Sequence, residues 1–168
     1  SECGKQFDYM VGAKLDGFET MVKLSDAPVI VLEGDEYLSS PVDRRPKFHL
    51  YQAHIAVISG ISWDHINVFP TFENYVDQFR IFADRLPIDG KLIYCREDVT
   101  VAEVAQSSTT QARKIPYGIP PYQIENGVTY IMHDGSETKV KVFGKHNLMN
   151  MEAARLVCGQ LAVSSADF

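Results

Sequence analysis

No apolar run in these 168 residues approaches the roughly 18 needed to cross a bilayer, so no membrane span is expected. Ser1-Glu2-Cys3-Gly4-Lys5 lacks the apolar stretch of a signal peptide. Cysteine is scarce: Cys3, Cys95 and Cys158 are odd in number, far apart and form no CxxC pair. They read as reduced cytosolic thiols, not as disulfides or a zinc site. Positive charge is in deficit, with 16 Lys and Arg against 22 Asp and Glu, a net charge of -6. That argues against a nucleic-acid binder, which normally carries a basic excess. It leaves room for one anionic nucleotide held by backbone N–H groups and Mg²⁺, where local field outweighs net charge. Internal repeats and low-complexity stretches are absent. So is a G-x-x-x-x-G-K-[ST] loop, because Gly12-Ala13-Lys14 and Gly90-Lys91 lack its spacing. Any nucleotide site in this chain is therefore expected without a phosphate cradle of its own.

What is present reads as α/β, about one domain in length. Phe7 to Leu15 and Thr20 to Leu24 suggest two short strands around Asp16-Gly17. Val29 to Leu32 and Ile55 to Ile61 are continuous β-branched runs, the pattern of strands buried on both faces of a parallel sheet. Leu38 to Leu50 turns polar and basic, with Pro41 and Pro46, and reads as loop or short helix. The clearest helix is Phe72 to Leu86, where Phe72, Tyr75, Val76, Phe79, Ala83 and Leu86 recur at spacings of three and four. Thr71 fits its N-cap and Pro87 its stop. Lys91 to Tyr94 is a third strand, followed by a short helix near Val101 to Ala105. About 114–143 reads as an antiparallel meander with turns at Asn126-Gly127 and Asp134-Gly135. A closing helix over about 147–164 puts Met149, Ala153, Leu156, Val157 and Leu161 on one face, with Asn147 as its cap.

Two strand-like runs end in potential metal ligands: Glu33-Gly34-Asp35-Glu36 after the first, Asp64-His65 after the second. Ligands of open α/β sheets collect outside the carboxyl ends of strands. Glu33, Asp35 and Glu36 at one strand end and Asp64 and His65 at the other, on strands expected to be neighbours, are thus candidates to share one divalent cation and one anionic substrate. A hard cation wants carboxylate oxygens, and a neutral imidazole adds a nitrogen. Gly34 favours close backbone approach to a ligand. A solvated acidic loop, a helix-capping Asp64 and a half-buried histidine are the plain alternatives. Gly144-Lys145-His146-Asn147-Leu148-Met149-Asn150 lies at a strand-to-helix junction. A turn and cap need only Gly144 and Asn147, so His146 and Asn150 are surplus, and with Asn147 they suit a purine edge. Arg44, Arg45, Lys47 and His49 form a basic patch in an acidic chain, a solvated face or a binder of phosphate or carboxylate.

In order, Glu33-Gly34-Asp35-Glu36-Tyr37, Asp64-His65 and Gly144-Lys145-His146-Asn147 through Asn150 with Ala153-Ala154 resemble the Mur ligases. These are ATP-dependent amide-forming enzymes of peptidoglycan metabolism. The resemblance covers essentially the whole chain. It implies a partial P-loop-type sheet, mixed or parallel, with flanking helices and a small antiparallel meander. It implies ATP and Mg²⁺ as cofactors, with Glu33 and His65 as metal ligands and His146, Asn147 and Asn150 on adenine. Asp64, Arg44, Arg45 and Lys47 are weaker substrate candidates. The stretch Asp43-Arg44-Arg45-Pro46-Lys47-Phe48 is similar to the branch joining L-alanyl-γ-D-glutamyl-meso-diaminopimelate to UDP-N-acetylmuramate. The branch adding L-alanine is the alternative. Several members use a carbamylated lysine on the helix after the Asp-His pair; here that helix offers Arg80 and no lysine, so the modification is not expected.

On this reading the chain is an excised piece of the central ATPase domain, lacking the P-loop and the flanking domains, and inactive alone. It implies a cytoplasmic enzyme with UDP-N-acetylmuramate and a peptide as partners, and neither nucleic acid nor membrane. Two rivals from other classes stay open: a free-standing metal-dependent phosphohydrolase using the same Glu, Asp and His residues, and a non-catalytic binding module.

Overall fold

The computed structural model describes residues 4–13, 18, 20–64, 66–133, 135–165 and 167–168. They fall into two compact units, Ser1–Leu50 with Asp167 and Tyr51–Ala166 with Phe168. His65 and the expected Asp16-Gly17 turn lie outside the described residues, as does Asp134 of the second meander turn.

The first unit is built on β1 (Asp8–Met10), β2 (Val22–Lys23) and β3 (Ile30–Leu32), in the order β2-β1-β3. The first two pair antiparallel, as the two short runs predict, and β3 joins β1 in parallel, Tyr9 opposite Val31. Asp8 is buried, and its carboxylate accepts the Ser25 backbone N–H and hydroxyl, both at 2.7 Å. Those bonds, the backbone one foremost, hold its pKa below the usual carboxylate value. The Tyr9 ring meets Phe18 edge-on at 4.7 Å. The expectation of a strand buried on both faces fails at β3, where Ile30 and Val31 are each 47% exposed. Among the described residues β3 is an edge strand of a three-stranded sheet, and these consecutive side chains, which point to opposite faces, both reach solvent. A 3-10 turn, Lys47–Leu50, follows the basic stretch, which closes on itself through a Leu38–Pro46 bridge.

The second unit carries the larger core. Its parallel sheet has the order β4-β5-β6, from β4 (Ile55–Ile58), β5 (Lys91–Cys95) and β6 (Arg113–Tyr117). β3 and β4, expected as neighbours, therefore belong to different sheets. The residues that open the predicted meander, 113–117, instead complete the parallel sheet. Pro116 is tolerated there because β6 is an edge and need not donate on both sides. The meander itself begins at β7 (Tyr122–Glu125) and continues through β8 (Val128–His133) and β9 (Ser136–Val140). Asn126 and Gly127 both take positive φ at the β7–β8 turn, as an Asn-Gly hairpin requires.

Helix α1 (Phe72–Asp84) starts at Thr71, whose side chain accepts the Asn74 N–H at 3.1 Å. It buries Tyr75 and Ala83 and packs Val76, Phe79 and Phe82 on the core. Helix α2 (Val99–Ser107) is capped by Asp98 and buries Val101, Val104 and Ala105. Helix α3 (Lys145–Gln160) seats Leu148 and Ala153 in the interior, and the Met149 sulfur lies 3.8 Å from the Cys95 sulfur on β5. Leu92 and Ile93 of the central strand β5 are fully buried between these layers. Among the described residues no helix is long and apolar enough to cross a membrane.

Candidate active site

Glu33 is the first residue past β3. Its backbone N–H donates to the Met10 carbonyl at 2.9 Å, extending the β1–β3 ladder by one step. Its side chain is exposed, and Oε2 accepts the Gly12 N–H at 2.5 Å. The carboxylate is thus fixed at the carboxyl end of two parallel strands. Gly34 has open space where a Cβ would sit.

Asp35 works as a brace. Oδ1 accepts the Tyr37 N–H at 2.8 Å, Oδ2 pairs with Lys47 Nζ at 2.6 Å, and its carbonyl accepts the Phe48 N–H at 3.3 Å. Arg45 is held likewise: Nε and Nη2 donate to the two oxygens of Asp43 at 2.9 and 2.7 Å. Those bonds from Arg45 push the Asp43 carboxyl down to about 2, so the pair stays doubly charged at neutral pH. Two of the three predicted substrate-binding cations therefore carry an internal counter-ion in this structure. The third, Arg44, is exposed. His49, grouped with them from sequence, is buried edge-on against Phe48 at 5.0 Å.

In the second unit, the chain leaving β4 is tied down twice before it reaches Asp64. Asp98 accepts the Val101 N–H at 3.0 Å as the cap of α2, and with its other oxygen accepts the Ile61 N–H at 3.2 Å. Trp63 donates from Nε1 to the Phe69 carbonyl at 3.0 Å and rests its ring 6.1 Å from Phe72. Asp64 follows, exposed, its N–H donating to the Ser62 carbonyl at 2.9 Å. Arg80, on helix α1, pairs with Asp77.

At the start of α3 the cap is Gly144, with φ 82°, and no side chain caps the first turn. Asn147, expected as that cap, instead donates from Nδ2 back to the Phe143 carbonyl at 2.9 Å. His146, Asn147 and Asn150 are all exposed, and Asn150 lies four and three residues from the other two, one turn along the helix, so that each can neighbour it. Buried Leu148 between them fixes the rotation of the helix here. Phe143 just ahead is 78% exposed and, with Val128, Thr129, Lys139 and Lys141, lines an open groove of about 310 Å³.

Among the described residues no three His, Cys, Asp or Glu side chains gather into a cation site. Mg²⁺ does not ask for one, since it is normally held by one or two carboxylates with substrate phosphates and water. The hard, fixed oxygen donor of Glu33 fits that chemistry. Sequence reading missed Asp98 and Gly12. The first was visible as an acidic residue directly before a helix; nothing local marks the second, whose partner lies 21 positions away.

A family profile described as "Mur ligase middle domain" matches residues 18–158. The chain is 23% identical to the Escherichia coli (strain K12) UDP-N-acetylmuramate--L-alanyl-gamma-D-glutamyl-meso-2,6-diaminoheptandioate ligase, covering 99% of the chain and 38% of that enzyme. It is 30% identical to the UDP-N-acetylmuramate--L-alanine ligase of Rhodococcus erythropolis (strain PR4 / NBRC 100887), over 86% of the chain and 28% of that enzyme. In fold it is similar to a UDP-N-acetylmuramate:L-alanyl-gamma-D-glutamyl-meso-diaminopimelate ligase from Neisseria meningitides. The TM-score is 0.76 at 22% identity, covering 93% of the chain and 54% of that structure. The chain thus spans roughly a third of the length of these two curated relatives.

Proposed function

The chain belongs to the Mur ligase family through its middle domain, and from that premise we propose that it is the nucleotide-handling part of a longer, cytoplasmic ATP-dependent ligase. That enzyme joins an amine to the muramyl carboxylate of UDP-N-acetylmuramate. The carboxylate attacks the γ-phosphate of ATP to give an acyl phosphate and ADP, and the amine then displaces inorganic phosphate. L-Alanyl-γ-D-glutamyl-meso-diaminopimelate is the amine substrate we favour. The motif around Asp43-Arg44-Arg45-Pro46-Lys47-Phe48 supports it. L-Alanine is the second reading, favoured by the 30% identity to an L-alanine-adding enzyme.

One observation carries the assignment: a carboxylate, Glu33, fixed by a backbone N–H just past parallel β3, in a chain matched across most of its length to this family. We propose Glu33 in the first unit and His65 in the second each as a candidate Mg²⁺ ligand. Bound there, the ion would supply neutralisation of the charge that develops on phosphoryl oxygens, worth several kcal/mol in such reactions. The remaining roles belong to the chain. Asp98 and Trp63 hold the segment that carries Asp64, so its carboxylate needs little reordering when substrate arrives. His146, Asn147 and Asn150 offer imidazole and amide groups to the edge of adenine, and the exposed Phe143 ring offers a stacking face. Arg44 is the substrate-facing cation of the basic stretch, while Arg45 and Lys47 keep that stretch in shape through Asp43 and Asp35.

The test is phosphate release by the complete protein with ATP and UDP-N-acetylmuramate, the amine added separately. Release is expected to require the amine, with the tripeptide outpacing L-alanine. Release without UDP-N-acetylmuramate, or hydrolysis of a generic phosphoester, would instead favour a free-standing phosphohydrolase.

A further inference from the structure

We propose that Gly12 is the positioning residue for Glu33. It takes up Oε2 of the carboxylate and leaves Oε1 to serve as a single-oxygen ligand. The inference rests on the reading of Glu33 as a Mg²⁺ ligand. The Gly12 N–H reaches Oε2 at 2.5 Å, a short bond to a charged acceptor. A Cβ built on Gly12 would stand 3.3 Å from Oε2, tight enough that the carboxylate must give by a few tenths of an ångström, and 3.4 Å from Oε1, an ordinary contact.

Glycine is not required at this position by backbone conformation. The glycines with positive φ among the described residues are Gly4, Gly127, Gly135 and Gly144, and Gly12 is not one of them. What its missing side chain provides is approach. Gly34, the glycine next to Glu33 in sequence, has nothing within 4 Å of a built Cβ and makes no such demand. The register of the parallel β1–β3 pair sets the encounter. Met10 lies opposite Leu32, and the next step, Glu33 N–H to the Met10 carbonyl, brings Glu33 alongside the residues leaving β1. A hydrogen bond to a ligating carboxylate orients it and tunes its donor strength, and losing such a partner typically weakens metal binding by about 10- to 100-fold.

The experiment measures Mn²⁺ binding to the complete protein in the presence of a non-hydrolysable ATP analogue, reading free Mn²⁺ by electron paramagnetic resonance. Gly12→Pro removes the N–H; Gly12→Ala keeps it and adds the Cβ. We expect Gly12→Pro to weaken Mn²⁺ affinity by about 10-fold. Gly12→Ala should weaken it by a smaller factor with an unchanged melting temperature. Excess metal should restore much of the lost turnover in both, which a merely structural defect would not allow. If Gly12→Pro does not fold, Gly12→Ala decides alone. Glu33→Gln, measured alongside, separates the two claims. Wild-type affinity in the Gly12 variants, with affinity lost in Glu33→Gln, overturns the role of Gly12 and leaves Glu33 as a ligand. Wild-type affinity in Glu33→Gln overturns the ligand assignment itself.

Discussion

Replacing Glu33 by glutamine is expected to slow ligation by the complete protein about 100- to 1,000-fold while leaving its melting temperature unchanged. The substitution is isosteric, and the amide oxygen of glutamine can still accept the Gly12 N–H, so the loop after β3 keeps its anchor. The side chain is exposed, so no buried contact is lost. Only the negative charge goes, and with it the affinity for a hard cation. A loss of about 3–4 kcal/mol of transition-state stabilisation corresponds to the stated range at 1.36 kcal/mol per tenfold. His65→Ala is expected to move the rate in the same direction if, as proposed, its neutral imidazole is one of the ion's donors. Initial rates of phosphate release, with circular dichroism as the control for folding, decide the matter. Near-normal rates in Glu33→Gln would remove this carboxylate from the chemistry.

Leu92→Ala should be the most damaging conservative change in the fold. Leu92 sits on β5, the middle strand of the parallel sheet, opposite Ala56 on one side and Lys114 on the other, with no exposed surface. Truncating a fully buried leucine costs about 2–5 kcal/mol through lost transfer energy and the cavity left behind. Whole domains are stable by only about 5–15 kcal/mol, so this is a large fraction. For a chain of this length the melting temperature should fall by about 5–15 °C. Val57→Ala on β4 is the matched control: the residue is 39% exposed on an edge strand, and its loss should cost far less. Comparable losses in chemical denaturation for the two variants would mean that the sheet is not layered as described.

The elements that could be read from the amino-acid order are those whose signal is local. Helix α1 carries a period of three to four and a threonine cap, and both are found in place. The Asn126-Gly127 turn announces itself because only a few residue types tolerate positive φ at both positions. Strand partners are another matter. The run from Val29 to Leu32 reports a preference for extended backbone but carries no information on which strand lies beside it. Composition alone sets β3 beside β4, whereas hydrogen bonding assigns it to β1. Residues 113–117 look like any short strand before a meander, and only the register of Leu92 against Lys114 and Ile93 against Ile115 makes them parallel partners of β5.

The candidate site divides the same way. Glu33, Asp64 and the exposed His146, Asn147 and Asn150 were visible as chemistry-bearing residues at element ends. The roles of their neighbours were not. Asp35 looks like a ligand in the sequence and turns out to brace Lys47, as Asp43 braces Arg45. Whether a charge is available or already paired depends on how a loop closes. In this one, closure rests on backbone bonds such as Ser39 N–H to the Arg45 carbonyl at 2.8 Å.

The most direct test of ligation through an activated carboxylate follows an oxygen atom. UDP-N-acetylmuramate labelled with ¹⁸O in its carboxylate is turned over by the complete protein with ATP and the amine, and the released phosphate is analysed by mass spectrometry. Attack of the carboxylate on the γ-phosphate transfers one labelled oxygen, so each phosphate formed with amide product should carry one ¹⁸O from the fully labelled acid. Phosphate without the label, formed at the same rate as the amide, would contradict the acyl phosphate and the function built on it.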